Sequence, residues 1–171
     1  GSNGKTTTKE MCAAILGAAG PCLATQGNLN NHFGLPLTLL RRAEEDRFAV
    51  VEIGMNHRGE IAPLAAIARP TVAVVTNVGT AHIEHLGSRD EIAREKGDLL
   101  AALDRDGTGV IPADDAFADA LAARVRGRVR RFGRGPGADV RAEDVLVLPQ
   151  GFRFALRAAE DPSRGVEDQR A

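Results

Sequence analysis

The first ten residues, GSNGKTTTKE, constrain this chain more than any other stretch. In a phosphate-binding loop, glycines let backbone N–H groups curl around phosphate oxygens, a lysine reaches the outer phosphates and the next hydroxyl binds Mg²⁺. Gly4, Lys5 and Thr6 match that ending. Met11, Ile15 and Leu16 then follow at helical spacing, with stop signals at Gly17, Gly20 and Pro21. The first glycine of the full pattern would fall two positions before Gly1, so a Gly/Ser/Asn turn that only caps a helix is the competing reading. A phosphate loop hangs between a strand and a helix. The helix is present and no strand precedes it, so the first strand is expected to be missing from this sequence.

Downstream, helical and strand patterns alternate. PLTLLRRAEE, GEIAPLAAIA, SRDEIAREKGDLLAAL and DAFADALAARV read as helices, and RFAVVEIG, TVAVVTNVG, GTGVIPADD and RVRRFG as strands. Val-rich strands alternating with helices predict an α/β fold: a three-layer, mostly parallel sheet with helices on both faces and ligands at the strand ends. Two short β runs at 145–148 and 152–156, about a Pro-Gln-Gly turn, predict a small β extension near the C-terminus. With 171 residues the expectation is one domain over 1–160, followed by a disordered or truncated tail at 161–171.

Composition narrows the partners. The net charge of −1, with 26% charged residues, gives no global attraction to nucleic acid or anionic lipid. No apolar run approaches the roughly 18 residues of a membrane span, and no signal-peptide layout opens the chain. A cytoplasmic protein with no membrane partner is expected. Cys12 and Cys22 are expected to be buried free thiols. Of 22 basic residues only Lys5, Lys9 and Lys96 are lysines. An arginine-rich chain that keeps a lysine keeps it where a compact primary amine is useful, although Lys9 suggests no chemical role from sequence.

Three further stretches, GNLNNHFGLPLTLL (27–40), VEIGMNHRGEI (51–61) and NVGTAHIEHLGSRDEIAREKGDLL (77–100), follow the loop in order. With it they resemble the central ATP-binding domain of the Mur ligases over residues 1 to about 156. The Gly-Asn-Leu-Asn-Asn element is most similar to the branch that adds D-alanyl-D-alanine to UDP-N-acetylmuramoyl tripeptide. The resemblance implies an ATP-dependent carboxylate–amine ligase of peptidoglycan precursor synthesis, working through an acyl phosphate. Its partners would be a UDP-linked muramoyl peptide and D-alanyl-D-alanine, and its cofactors ATP and two Mg²⁺. It also implies a monomeric three-domain clamp whose central piece alone does not ligate.

Carried over by resemblance, Thr6, Glu52, His82 and Lys96 hold metal, and Lys5, His82 and Lys96 are catalytic. Lys96 would carry a CO₂-derived carbamate. Gly1, Asn3, Gly4, Lys5, Thr6, Thr7, Asn28, Asn30, Asn31 and Asp115 would line the nucleotide or the incoming peptide. Asn28, Asn30 and Asn31 also suit turn chemistry. Pro112 stands where the family usually has an asparagine near adenine. His57 is given a structural or substrate-loop role. The run RVRGRVRRFGRG reads as a strand with a solvated edge rather than an RNA patch, because only Phe132 interleaves it. Two other readings stand beside the first: another Mur or folylpolyglutamate synthase-type ligase, and a nucleotide-binding module with no ligase role.

Overall fold

The computed structural model describes residues 2–81 and 83–159. The expectations for Gly1, His82 and the 161–171 tail lie outside the described residues. In chain order the elements are α1 (Lys5–Ala19), β1 (Cys22–Ala24), α2 (Gly34–Leu39), β2 (Phe48–Val50), α3 (Ile61–Ala68), β3 (Val72–Val74), α4 (Ile83–Leu86) and α5 (Arg89–Ala101). They continue with β4 (Thr108–Pro112), α6 (Ala118–Ala122), β5 (Arg128–Gly133), β6 (Val140–Leu148) and β7 (Gly151–Ala158). This is the expected mostly parallel α/β architecture. Strands β1 and β2 pair in parallel, and β3-β4-β5-β6 form a second parallel run to which β7 adds antiparallel. Among the described residues no strand joins β2 to β3, so the sheet is divided next to the helix that follows the phosphate loop.

The strands are shorter than their apolar runs because side chains take over the ladder. Thr25 N donates to Val50 O at 3.1 Å, but one step on Glu52 N turns to the Thr25 hydroxyl at 2.9 Å. In the same way Val75 N reaches Val110 O at 2.9 Å, after which Thr76 and Asn77 turn toward Asn3 and Ser2. Helix α2 also differs from its pattern, starting two residues early. The Asn31 side chain accepts from Phe33 N at 3.1 Å and Gly34 N at 2.8 Å, and a Cβ at Gly34 would lie 2.4 Å from the Leu29 backbone. The helix ends early because the Asp46 carboxylate takes Ala43 N at 2.9 Å and closes a turn over the residues expected to be helical.

The principal core lies where β3 and β4 meet α3, α5 and α6, with Val75, Leu86, Ile92, Leu100, Ile111 and Leu121 all closed to solvent. Burial of such side chains stabilises by about 1.5–3 kcal/mol each before entropy is counted. Ser88 caps α5 through Glu91 N at 3.2 Å, and Asp90 and Glu91 face the positive end of its dipole.

Two expectations need correction. The arginine run does not form an edge: β5 lies between β4 and β6, and its Arg131 donates to Asp119 at 2.8 Å. Cys12 and Cys22 are free but only partly buried; burial, with Asp46 nearby, pushes the Cys22 thiol up. The β extension is longer than its apolar runs, with a register shift between Glu143 and Leu146 where Asp144 adopts φ 51°. Phe152, Phe154 and Leu156 project from β7 into solvent, Phe152 at 70% exposure. No helix among the described residues is long and apolar enough to cross a membrane.

Helix α3 ends on Arg69 in the left-handed region at φ 45°, a conformation that strains a side-chain-bearing residue. Arg69→Gly is expected to stabilise the fold by about 1 kcal/mol, read as a higher urea midpoint at unchanged m value.

Candidate functional site

Helix α1 begins at the phosphate loop, with Gly4 at φ 76° before Lys5, and the exposed backbone of residues 3 and 4 faces solvent. Left-handed glycine followed by a helix N-terminus is the local geometry that presents amides to an anion. The loop is fastened to the end of β3. Asn77 Oδ1 accepts from Ser2 N at 2.9 Å and Asn3 N at 3.0 Å, Thr76 Oγ1 donates to Asn3 O at 2.6 Å, and Gly79 N donates to Ser2 Oγ at 3.0 Å. Asn77 opens one of the matched stretches, yet nothing in its sequence context marks this stapling role.

Glu52 lies just past β2 and is only 5% exposed. Its Oε2 accepts from Thr6 Oγ1 at 2.8 Å and its Oε1 from Asn30 Nδ2 at 2.8 Å. Residues 46 positions apart thus meet at one carboxylate. Asn30 is held in turn by Gly54 N, which donates to its carbonyl at 2.8 Å; a Cβ at Gly54 would lie 2.9 Å from Asn30 Cγ. A buried carboxylate with neutral donors, beside a hydroxyl, offers the hard oxygen atoms that Mg²⁺ prefers, and Mg²⁺ commonly needs only one or two protein carboxylates besides phosphate. The described residues therefore fit that ion. They contain no cluster of three or more His, Cys, Asp or Glu side chains able to hold a metal by themselves.

Lys96, on the inner face of α5, is 5% exposed. Burial, and then the neighbouring Lys5 charge, lower its amine to a pKa of about 8. Lys5 and Lys96 are thus close enough to interact, and among the described residues no carboxylate forms a salt bridge with Lys96. Next to it, Glu95 accepts from Gly59 N at 2.6 Å, while its Oε2 is buried without a hydrogen-bond partner. That contact ties α5 to the loop carrying His57, whose Nδ1 lies 3.2 Å from Glu60 and whose ring lies 5.0 Å from that of His85.

The remaining candidates divide. Asp115 is tied to backbone: Oδ2 accepts from Val78 N at 2.8 Å and Oδ1 from Phe117 N at 3.0 Å. Arg89 holds the same Val78 from the other side, donating to its carbonyl at 2.7 Å, so the segment leading toward position 82 is clamped at both polar atoms. Asp114 clasps Arg134 N at 2.6 Å and Gly135 N at 2.9 Å. Asn31 caps α2, as its turn chemistry allowed, and Asn28 and Thr7 are exposed. Thr6, Glu52 and Asn30 are therefore brought together, Lys5 and Lys96 lie close to one another, and Asp115 serves as a tether. Lys9 proves to be buried and bonded to the Thr25 carbonyl at 2.7 Å.

Over residues 1–166 the chain matches the family described as Mur ligase middle domain. A UDP-N-acetylmuramoyl-tripeptide–D-alanyl-D-alanine ligase of Bacillus subtilis is 39% identical over 161 residues, which cover 94% of this chain and 35% of the relative. The crystal structure of MurF from Acinetobacter baumannii aligns with a TM-score of 0.88 at 40% identity, covering 92% of this chain and 34% of that one. A MurF ligase from Thermotoga maritima in complex with ADP aligns at 0.82 and 31% identity, covering 92% and 36%. The chain thus spans about a third of the length of the proteins it matches.

With only three lysines to resolve, ¹³C-labelled lysine spectra can follow Lys96 directly. Its titration midpoint is expected near pH 8, and Lys5→Met is expected to move it upward by removing the neighbouring positive charge. A midpoint near 10.5 in the unaltered chain would mean that the amine is solvated.

Proposed function

The chain belongs to the Mur ligase middle-domain family, and on that premise we propose that it is the ATP-handling segment of a ligase that joins D-alanyl-D-alanine to UDP-N-acetylmuramoyl tripeptide. The observation that carries this reading is the meeting of Thr6 and Asn30 on the buried Glu52 carboxylate beside the opening of the phosphate loop. In the proposed reaction the terminal phosphoryl group of ATP passes to the peptide carboxylate, giving ADP and an acyl phosphate. The dipeptide amine then attacks the acyl carbon, phosphate leaves, and the nitrogen loses a proton to form the amide. The work takes place in the cytoplasm with a monomeric enzyme.

The loop amides and Lys5 would bind and orient the phosphates, concentrating positive charge where two anions must approach. Thr6 and Glu52, with His82 and a modified Lys96, would hold Mg²⁺, whose chemistry is neutralisation of charge on the transferring phosphoryl group. Asn30 keeps the Glu52 carboxylate aimed, and the Asn77 staple keeps the loop against β3. Asp115 contributes by anchoring Val78, next to that staple.

Carbamate formation on Lys96 has physical support. The reaction needs the neutral amine, and a pKa of about 8 leaves roughly a tenth of it neutral at pH 7, against well under a thousandth at 10.5. A carbamate also reverses the sign of the contact with Lys5, replacing repulsion between two cations by attraction. Raising the pH through 8 increases the reactive fraction, so carbamylation rises with pH across that window.

The test uses the protein encoded by the complete gene, with UDP-N-acetylmuramoyl tripeptide, D-alanyl-D-alanine and ATP, and mass spectrometry of the product. Amide formation with stoichiometric ADP is expected; ATP hydrolysis without amide would favour a nucleotide-binding module. Lys96→Arg keeps the charge yet is expected to lower kcat by at least about 100-fold, and Glu52→Gln by a similar factor, as for loss of a group stabilising transition-state charge. Near-normal turnover by Lys96→Arg would remove the carbamate.

A further inference from the structure

One buried cation is not used by the proposed chemistry. Lys9 stands on α1 three residues beyond Thr6, and therefore on the same side of the helix. It is 4% exposed, which is costly for an ammonium unless the fold obtains something from it. Its Nζ pairs with the Glu10 carboxylate and donates to the carbonyl of Thr25 at 2.7 Å. Thr25, 2% exposed, is the junction of the site: its hydroxyl accepts from Glu52 N at 2.9 Å, and the loop that delivers Asn30 to Glu52 starts at the next residue.

Glu52 is thus fixed at three points. Thr6 holds Oε2, Asn30 holds Oε1, and Thr25 holds the backbone amide. Helix α1 governs the first directly and the third through Lys9. We infer that Lys9 is a positioning residue, which sets the register of α1 against the end of β1 so that the Thr6 hydroxyl and the Glu52 carboxylate present their oxygens at one point. This rests on the reading of those two groups as Mg²⁺ ligands. A lysine suits the task where arginine does not: its straight stem carries a compact ammonium with three rotatable donors, whereas a guanidinium fork is broader and planar.

The experiment uses the full-length protein and two readouts that require no turnover. The first is Mn²⁺ affinity in the presence of ADP, followed by electron paramagnetic resonance; the second is amide exchange at Glu52 in the metal-free protein. Thr25→Val and Lys9→Met are each expected to weaken Mn²⁺ binding about tenfold, within the range for loss of a group orienting a metal ligand. Both are expected to speed Glu52 exchange, Thr25→Ser to restore both values, and Lys9→Arg to fail to restore them. Glu52→Gln separates the two hypotheses. If it leaves Mn²⁺ affinity intact, the metal reading of Glu52 falls. If it weakens binding while Thr25→Val and Lys9→Met change only the melting temperature, Lys9 is a fold anchor and the positioning role is wrong. Should Lys9→Met not fold, Lys9→Arg decides in its place: Mn²⁺ affinity and Glu52 exchange equal to those of the unaltered protein would overturn the positioning role.

Discussion

A carboxylate removed from water and satisfied by hydrogen bonds from neutral groups is the constraint around which this half of the molecule is arranged. Leaving Glu52 unsatisfied would cost several kcal/mol, and each oxygen therefore has a donor within 2.8 Å. The donors come from separate places, α1 and the loop after β1, so neither can shift without exposing the anion. Satisfaction by neutral groups has a second effect. One donor on each oxygen leaves lone pairs open, so the carboxylate is held in place and is still able to accept a further ligand.

The phosphate loop shows the complementary solution. Its own residues are open to solvent, as they must be to receive a ligand, so its shape is imposed from outside by Asn77, Thr76 and Gly79. The segment that imposes it is clamped at Val78 between Asp115 and Arg89. Preorganised donors cost no rearrangement when charge develops, which is where such rigidity has its effect on rate.

The order of helices and strands was legible in the sequence because buried parallel strands and covering helices write different periods. What periodicity could not show was where side chains replace backbone pairing. β2 and β3 stop short because Thr25, Thr76 and Asn77 intercept the ladder, and polar residues at the end of a Val-rich run look the same whether they extend it or end it. β1 escaped notice: three residues between a Gly-Pro stop and a Gln-Gly turn carry too little pattern. Within the site, Thr6 is legible from the phosphate-loop pattern and Asn30 and Glu52 through the family resemblance, and the structure brings the three together. That Asp115 also tethers the backbone at Val78 and Phe117 is not legible, because a carboxylate in a loop gives no sequence sign of which donors surround it. Lys9 stands in the sequence as a lysine without a visible task, since its partner is a carbonyl sixteen residues away.

The ribbon at the far end of the sheet has a practical consequence for handling the protein. β7 alternates Phe152, Phe154 and Leu156 with Arg153 and Arg157, so its two faces differ sharply while its outer edge is free of a partner strand among the described residues. Flat, aromatic edges invite adhesion between molecules, and charged neighbours are what holds them apart in water. Glu143 on β6 already pairs with Arg157, so the charge that opposes adhesion on this ribbon rests mainly on Arg153, and added electrolyte mutes its repulsion.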